Sequence, residues 1–347
     1  PLNSEIISTP PEQTNPPVVP EMGLESERAS VQVSTSQHGG RLDKCLAELM
    51  PAFSRSYLQQ LMQQGDVTYR GQVATKPSAK VRAGDWIDVV LRPTDQARSF
   101  TAEPLNLTIV HEDDALLVLN KRAGMVVHPA AGNWSGTVMN GLLHHHPGAV
   151  DLPRAGIVHR LDKDTSGLMV VAKTRVVMEA LVRLIGQREV SRFYLAIAEK
   201  PWRRAGVWTV SDAIGRDPVN RLRMAVLPSD TSNSKPAKTQ FRAVAVQGGL
   251  SLVACKLFTG RTHQIRVHLA HRGHPILGDQ VYGGSLQQGI IRQALHATRL
   301  EFDHPITGHR LSFLTPVPED MAQVMATNGL HYNPSLLGAH TFENPSD

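Results

Sequence analysis

The residues from 159 to 172 join a short, highly polar turn to an uninterrupted apolar segment. Asp162 and Asp164 stand in the turn just after the pair His159-Arg160, and Leu168–Ala172 follows without a polar side chain. An apolar run of this length, bounded by turn residues, is typical of a buried strand. Side chains at the mouth of such a strand are held stiffly, as a catalytic group must be. We therefore predict that this turn belongs to a functional site at the mouth of a buried strand.

The composition indicates a globular chain with a polar N-terminal extension. The 347 residues are enough for one large domain and one small one. Residues 1–36 are rich in Pro, Ser, Thr and Glu and contain no aromatic side chain, which predicts a disordered tail. They lack the pattern of a secretory signal, and no segment has the length of a membrane span, so no membrane association is expected. Cys45 and Cys255 lie far apart, which favours a reducing, cytoplasmic location over a disulfide framework.

The positive charge of the chain is unevenly distributed. The formal net charge is +5, and residues 200–238 contain eight basic but only three acidic side chains. Such a basic block in an otherwise balanced protein indicates a polyanionic partner, with an ordinary solvated surface as the alternative for this stretch alone.

Residues 37–93 predict a small α+β domain. Leu42, Leu46 and Leu49 repeat at helical spacing, and a second helix is predicted over Arg55–Gln64 with Ser54 as its N-cap. Short strands are predicted at Val67–Tyr69 and Trp86–Leu91, with glycines in the intervening turns. The basic side chains of this segment are candidates for contact with phosphates: Arg41, Arg55, Lys76, Lys80 and Arg82.

After a polar linker at residues 94–101, residues 102–325 predict one larger domain, followed by a C-terminal tail at 326–347. Helices are expected at Thr137–His146 and Thr174–Arg188, and most of the remaining pattern is strand. The dipeptide Gly248-Gly249 between two apolar runs is a hairpin signal. Because strands come in runs without regular alternation with helices, the predicted fold class is α+β with a mixed, mainly antiparallel sheet.

Three separated segments carry the chemistry-bearing side chains. They are the turn containing Asp162, the strand containing Tyr194, and the run Gly260–Leu269. In the third segment Thr262 is predicted to cap a short helix that carries Arg266 near the end of its first turn. Each side chain alone can be explained as an ordinary capping, core or solvated residue. The occurrence of all three segments in this order favours a shared site.

In these segments and in several longer runs, the chain resembles the RluA-type RNA pseudouridine synthases, and most closely the subfamily D that modifies large-subunit ribosomal RNA. The resemblance extends over roughly Arg41 to Pro318, and residues 37–93 resemble the S4 RNA-binding module. Members of that module usually carry Asn before the glycine of the first hairpin turn, where this chain has Arg70. The matching runs are 154–173, 235–239, 260–269, 274–284 and 293–297.

The resemblance implies isomerisation of specific uridines to pseudouridine in 23S rRNA, expected in the helix 69 stem-loop, with no metal, nucleotide or other cofactor. Asp162 matches the catalytic aspartate of the family, Arg266 the arginine that pairs with it, and Tyr194 the tyrosine that stacks on the target base. Arg160 matches the arginine that fills the space left by the flipped base, and His159 is expected to orient the turn.

Leu295 is a weaker match, to the apolar wall of the uracil pocket. The implied partner is 23S rRNA or the pre-50S particle, and the protein is expected to act as a monomer.

Other interpretations remain open at this level. An RNA-binding assembly factor without catalysis would share the S4-like module, although it would be expected to lack one of Asp162, Tyr194 or Arg266, and the sister subfamily C would have other rRNA targets. The triplet His144-His145-His146 suggests a metal-dependent hydrolase, but no His-Glu-x-x-His spacing is present. The sequence also lacks the Gly-x-x-x-x-Gly-Lys-Ser/Thr loop of nucleotide-dependent enzymes.

Overall fold

The protein divides into two compact units, with the boundary between residues 95 and 96. This boundary falls within the predicted linker at 94–101, most of which lies outside the described residues. The computed structural model describes residues 27–50, 55–91, 101–129, 133–220, 223–231, 233–334 and 337–342.

The first unit is a small α+β domain in which a four-stranded antiparallel sheet accompanies two helices. The order of its strands is β1-β4-β2-β3, and leucines of both helices are fully buried in one core. The predicted N-cap Ser54 lies outside the described residues. In chain order the elements are β1 (Glu27–Gln32), α1 (Leu42–Leu49), α2 (Arg55–Gln63), β2 (Val67–Tyr69), β3 (Gln72–Val73) and β4 (Trp86–Leu91).

Strand β1 lies within the segment predicted to be a disordered tail, so that prediction is wrong from Glu27 onward. The strand pairs with β4 along its whole length, from Glu27 opposite Leu91 to Gln32 opposite Trp86. Strand β1 is ordered because its backbone pairs with β4 and because it carries an apolar residue at every second position. This spacing places Ala29 and Val31 against the core. Two such side chains in a polar context were too weak a signal to outweigh the composition.

The turn between β2 and β3 shows how Arg70 replaces the usual Asn. Arg70 and Gly71 have φ angles of 53° and 77°, which is the left-handed geometry of a two-residue hairpin turn. A non-glycine residue at such a φ is strained unless it is Asn or Asp, so the chain adopts the hairpin at a small cost in stability.

The second unit is built around a nine-stranded mixed sheet and confirms the predicted fold class. The main path of the sheet is β5-β6-β7-β14-β8-β13-β12-β9, with β15 paired to β14. Its strands are β5 (Thr108–Glu112), β6 (Leu116–Lys121), β7 (Ser166–Ala172), β8 (Ser191–Glu199), β9 (Trp208–Val210), β12 (Thr239–Gln247), β13 (Leu250–Leu257), β14 (Leu295–Asp303) and β15 (Arg310–Leu314); β10 (Ile214–Arg216) and β11 (Met224–Val226) form a separate pair.

The helices of this unit follow the sequence signals closely. They are α3 (Val138–His145), α4 (Arg175–Gln187), α5 (Gln264–His271) and α6 (Glu319–Thr327). The hydroxyl oxygens of Thr137 and Thr174 accept hydrogen bonds from backbone N–H groups three residues later, so both predicted helix starts are confirmed. The Gly248-Gly249 hairpin is also confirmed, because Gln247 pairs with Leu250 across it.

Strand β7 contains the apolar segment Leu168–Ala172 that follows the Asp162 turn, and all seven of its residues are buried. It pairs antiparallel with β6 and parallel with β14, where Ala297 lies opposite Gly167. A Cβ atom on Gly167 would lie 2.2 Å from the carbonyl oxygen of Ala297. Glycine is therefore required where the turn that contains Asp162 enters the sheet.

The end of the chain packs against the sheet more than the predicted tail at 326–347 implies. Leu330, Leu337 and Phe342 are buried, and the ring of Phe342 stacks on that of Phe193 with centroids 5.8 Å apart. The predicted boundary at residue 325 is thus too early, because isolated apolar residues in a polar stretch give no periodic signal. Among the described residues, the helices are all too short or too polar to cross a membrane.

Candidate active site

Asp162 lies in the turn that leads into β7, and the backbone of this turn is held by a buried lysine. The Nζ atom of Lys121 donates hydrogen bonds to the carbonyl oxygens of Arg122, Met125 and Lys163, at 3.1, 2.8 and 2.9 Å. Lys121 is 2% exposed, and burial lowers its pKa to about 7. The turn next to Asp162 is thereby fixed from inside the protein.

Arg266 is the residue that reaches Asp162 from another element. It is the third residue of α5, and its Nη1 atom donates a hydrogen bond to Oδ2 of Asp162 at 3.1 Å. The Nε and Nη2 atoms donate to both carboxylate oxygens of Asp279, at 2.7 and 2.8 Å. Arg266 and Asp279 are both buried, whereas the side chain of Asp162 is 18% exposed. The guanidinium is therefore fixed by one carboxylate and presented to the other.

The helix that carries Arg266 begins differently from the prediction. Its N-cap is His263 rather than Thr262, and His263 has a φ of 57° and makes no side-chain cap. The carboxamide oxygen of Gln264 instead accepts hydrogen bonds from the Arg261 N–H and the Thr259 hydroxyl. A hydroxyl cap at Thr262 is unnecessary because a side chain from inside the helix organises the preceding loop.

Tyr194 comes to the same pocket from the centre of the sheet. It stands on β8, opposite Cys255 of β13 and Ala297 of β14. Burial raises the pKa of its hydroxyl to about 12. At neutral pH the phenol is thus protonated and suited to stacking or hydrogen bonding, whereas its phenolate is a minor species, on the order of one part in 10⁵.

One pocket brings together most of the residues predicted for the site. Asp162, Tyr194, Arg266 and Leu295 line it, and Arg160 lies at its rim with an exposed side chain. The lining combines charged side chains with the apolar Leu161, Leu257, Ile265 and Leu295, which suits a flat heterocycle with polar edges.

His159 is the exception, because it does not line this pocket. Its Nε2 atom accepts a hydrogen bond from the Val170 N–H at 3.1 Å, and burial together with the nearby charge of Arg192 lowers its pKa to about 3. His159 is thus neutral and fixes the turn against β7.

The five N-terminal candidates belong to the first unit, where Lys80 is exposed. Arg41 and Arg55 each form an ion pair with the buried carboxylate of Asp43, at 3.0 and 2.8 Å, while about half of each arginine side chain stays exposed. Lys76 and Arg82 are exposed. The first two arginines therefore have a structural partner in addition to any phosphate contact.

Sequence reasoning missed Lys121, Arg192 and Asp279. Asp279 lies in the matching run 274–284 and Lys121 lies in none of the matching runs, and the contacts that define their roles, with Arg266 and with the carbonyl of Lys163, follow no local periodicity. Arg192 stands two residues before Tyr194 on the same strand, so the period-two geometry of a strand could have placed both side chains on one face.

The adjacent histidines at the C-terminal end of α3 have separate partners. His145 contacts Glu112 through Nε2 at 2.7 Å, and His146 contacts the carbonyl of Lys173. Within the part of the chain that the structure describes, no group of three or more potential ligands is arranged to hold a metal ion.

Comparison with known proteins agrees with this geometry. Residues 115–271 match the RNA pseudouridylate synthase family model, and residues 40–87 match the S4 domain model. The protein is 44% identical over 310 residues to ribosomal large subunit pseudouridine synthase D of Neisseria meningitidis (serogroup A), which covers 86% of this chain and 81% of the relative. The protein of the same name from Vibrio parahaemolyticus is 46% identical over 302 residues, or 83% and 91% of the two chains.

A solved structure shows the same relationship. Human RNA pseudouridylate synthase domain containing 1 aligns with a TM-score of 0.50 at 29% identity, over 62% of this chain and 85% of that one. Relatives of such high identity, matched over most of their length, establish the classification: the chain belongs to the RNA pseudouridylate synthase family and carries an S4 domain.

Proposed function

We propose that the protein isomerises uridines to pseudouridine in large-subunit ribosomal RNA, with Asp162 as the catalytic carboxylate. The observation that carries this proposal is the convergence of Asp162, Arg266 and Tyr194 on one pocket from three distant segments. The names of the relatives from Neisseria and Vibrio support the choice of large-subunit RNA as the substrate class.

The reaction needs no external reactant. The bond between C1′ and N1 of the uridine breaks, a bond between C1′ and C5 forms, the C5 proton leaves and N1 gains a proton. Substrate and product are isomers, so neither an oxidant nor a group donor is consumed. The balance agrees with the expectation, drawn from the family resemblance, that no cofactor takes part.

Each residue of the pocket has a role that its surroundings support. Asp162 is the charged group close to the flipped nucleotide, and Arg266 holds it in place with a charge-assisted hydrogen bond. The protonated ring of Tyr194 stacks on the base, as enzymes that act on extruded bases commonly require, and Leu295 completes the apolar wall. Arg160, exposed at the rim, occupies the gap in the RNA stem.

The first unit supplies binding to RNA outside the reacting nucleotide. Lys76 and Arg82 are exposed and form no ion pair with a carboxylate of the described residues, whereas Arg41 and Arg55 share the charge of Asp43. We therefore assign the main phosphate contacts of this unit to Lys76 and Arg82. The substrate is 23S rRNA, free or in the pre-50S particle, and the protein acts on it as a cytoplasmic monomer.

We also propose where in the RNA the target uridines lie. The resemblance to subfamily D favours the helix 69 stem-loop, while a member of subfamily C would act elsewhere in the same RNA. A non-catalytic assembly factor is disfavoured because Asp162, Arg266 and Tyr194 are all present and share one pocket.

Tritium release from RNA that carries 5-tritiated uridine tests the proposal. We expect release from a helix 69 stem-loop, because loss of the C5 proton accompanies the reaction. Release from total 23S rRNA but not from the stem-loop would move the target to another site. Absence of release from both, with RNA binding intact, would contradict the enzymatic function and favour an assembly factor.

A further inference from the structure

Arg192 is a buried cation that has no counter-ion among the described residues. Its side chain is on β8, next to the catalytic pocket, and only 6% of the residue is exposed. No Asp or Glu among the described residues forms an ion pair with it, and its Nε atom is buried without a hydrogen-bond partner. Burial lowers the pKa of its guanidinium, which reflects the unfavourable environment.

A charge in this position requires an explanation. Buried charges in proteins are normally paired, because the loss of hydration is otherwise not compensated. Arg266, at similar depth in the same pocket, has two carboxylates. The contrast between the two arginines indicates that the partner of Arg192 is an anion that arrives with the substrate.

The space beside Arg192 has the chemistry of an anion site. Arg192 lies between the catalytic pocket and an adjoining cavity of about 880 Å³, and it lines both. Four further arginines line the cavity, and no acidic residue is among its lining residues. All four are exposed, so water can hydrate them, unlike Arg192. They are Arg154, Arg160, Arg188 and Arg261.

A second unpartnered donor faces this region. The Nδ1 atom of His159 is buried and has no hydrogen-bond partner in the described part of the chain. Because Nε2 of the same ring accepts from Val170, Nδ1 carries the proton of the neutral ring. His159 lines the cavity together with Arg192.

The local backbone leaves the guanidinium open to a ligand. A Cβ atom on Gly260 would lie 3.0 Å from Nη1 of Arg192, which is closer than ordinary van der Waals contact. Glycine at this position therefore leaves space beside the donor atom, at the wall that the two cavities share.

We propose that Arg192 binds a phosphate group of the RNA strand next to the target uridine, with Nδ1–H of His159 as a second donor. The proposal rests on the proposed function, and it adds a backbone anchor that sets the position of the nucleotide relative to Asp162. A phosphodiester is favoured because it is the one anion that every substrate RNA brings beside the flipped base.

A scan with neutral phosphates tests the proposal. Stem-loops that each carry one methylphosphonate within two nucleotides of the target uridine are compared for binding to the parent and to Arg192→Gln. At one position we expect the neutral linkage to weaken binding to the parent by about tenfold or more. Arg192→Gln should weaken binding to the unmodified RNA by a similar factor and lose nothing further at that position.

Arg175→Gln is the matched control, because Arg175 is an exposed arginine that pairs with Glu179 on α4. This variant should keep the full penalty of the neutral linkage. Equal penalties in Arg192→Gln and in the parent at every position would overturn the proposal. Binding of inorganic phosphate without any position-specific penalty in RNA would also overturn it, since the site would then take a free anion.

Stability without RNA separates a binding role from a structural one. If Arg192 is kept for the substrate, Arg192→Met should raise the melting temperature, because it removes an uncompensated buried charge. A lower melting temperature together with unchanged RNA binding would contradict the proposal. The proposed function is judged separately by tritium release in the parent: a position-specific penalty without release would leave the phosphate site in place and remove only the enzymatic function.

Discussion

Asp279 fixes the guanidinium of Arg266 through two hydrogen bonds, at 2.7 and 2.8 Å, so that the remaining Nη1 atom points to Asp162. The side chains of Arg266 and Asp279 are both buried, whereas the side chain of Asp162 is 18% exposed and lines the pocket. The carboxylate that we propose as catalytic is thus positioned by an arginine that is itself positioned by a second carboxylate. Arg266 and Asp279 are 13 residues apart in the sequence, whereas Asp162 is 104 residues from Arg266.

We expect Asp279→Asn to reduce kcat by about tenfold to a hundredfold and to leave KM nearly unchanged, because one charged hydrogen bond to Arg266 is worth about 1.5–3 kcal/mol. Steady-state kinetics on the stem-loop measure this split. Asp217→Asn, which removes the carboxylate that pairs with Arg223, is the control and should leave both constants unchanged. A rise in KM alone would contradict the positioning role.

Lys121 predicts a pH dependence of stability. Its folded pKa is about 7, below the unfolded value of 10.5. Below pH 7 both states bind the proton, so stability does not change. Between pH 7 and 10.5 only the unfolded state binds it, and the free energy of unfolding therefore rises by up to about 1.4 kcal/mol per pH unit.

Thermal unfolding at pH 7, 8 and 9 tests this sign in the parent and in Lys121→Met. The difference in melting temperature between the two proteins should change across this range, with the parent gaining relative to the variant. A constant difference would show that Lys121 keeps its proton when buried.

Gly167→Ala should destabilise the protein strongly, because the new Cβ would meet the carbonyl oxygen of Ala297 at 2.2 Å and the φ of +119° disfavours any side chain. We expect a loss of at least about 3 kcal/mol. Gly186→Ala is the matched control, since nothing lies within 4 Å of its Cβ and alanine favours the helix by about 1 kcal/mol. Melting temperatures of the two variants should therefore move in opposite directions.

Local signals account for the parts of the fold that the sequence predicts well. Thr137 and Thr174 start their helices as predicted because a hydroxyl cap and helical periodicity act within a few residues. Strand β7 was predictable because its buried residues from Leu168 to Ala172 are all apolar. The position of β14 between β7 and β8 was not predictable, since this pairing joins segments more than a hundred residues apart.

The residues of the site also divide into those with a local sequence signal and those without one. Asp162, Tyr194 and Arg266 stand in runs that could be recognised, and the structure brings them to one pocket. The roles of Asp279 and Arg192 follow only from their contacts. Asp279 pairs with Arg266, whereas Arg192 has no counter-ion among the described residues. A missing partner in particular is a property of three-dimensional packing and leaves no trace in the local sequence.

Removal of residues 1–95 should weaken binding to 23S rRNA while leaving turnover of a short stem-loop nearly unchanged, because we propose that the S4 domain contacts RNA outside the reacting nucleotide. Filter binding and tritium release on the two substrates measure the two effects. Equal binding of the full chain and the truncated chain to 23S rRNA would argue against an RNA role for Lys76 and Arg82.

Asp162→Asn tests the central claim most directly, with Asp164→Asn as a control from the same turn. The amide keeps the size of the side chain but cannot supply the negative charge, so tritium release from the stem-loop should be abolished while RNA binding stays within about twofold. Asp164→Asn should retain most of the activity. Substantial release by Asp162→Asn would contradict the assignment of Asp162 as the catalytic carboxylate.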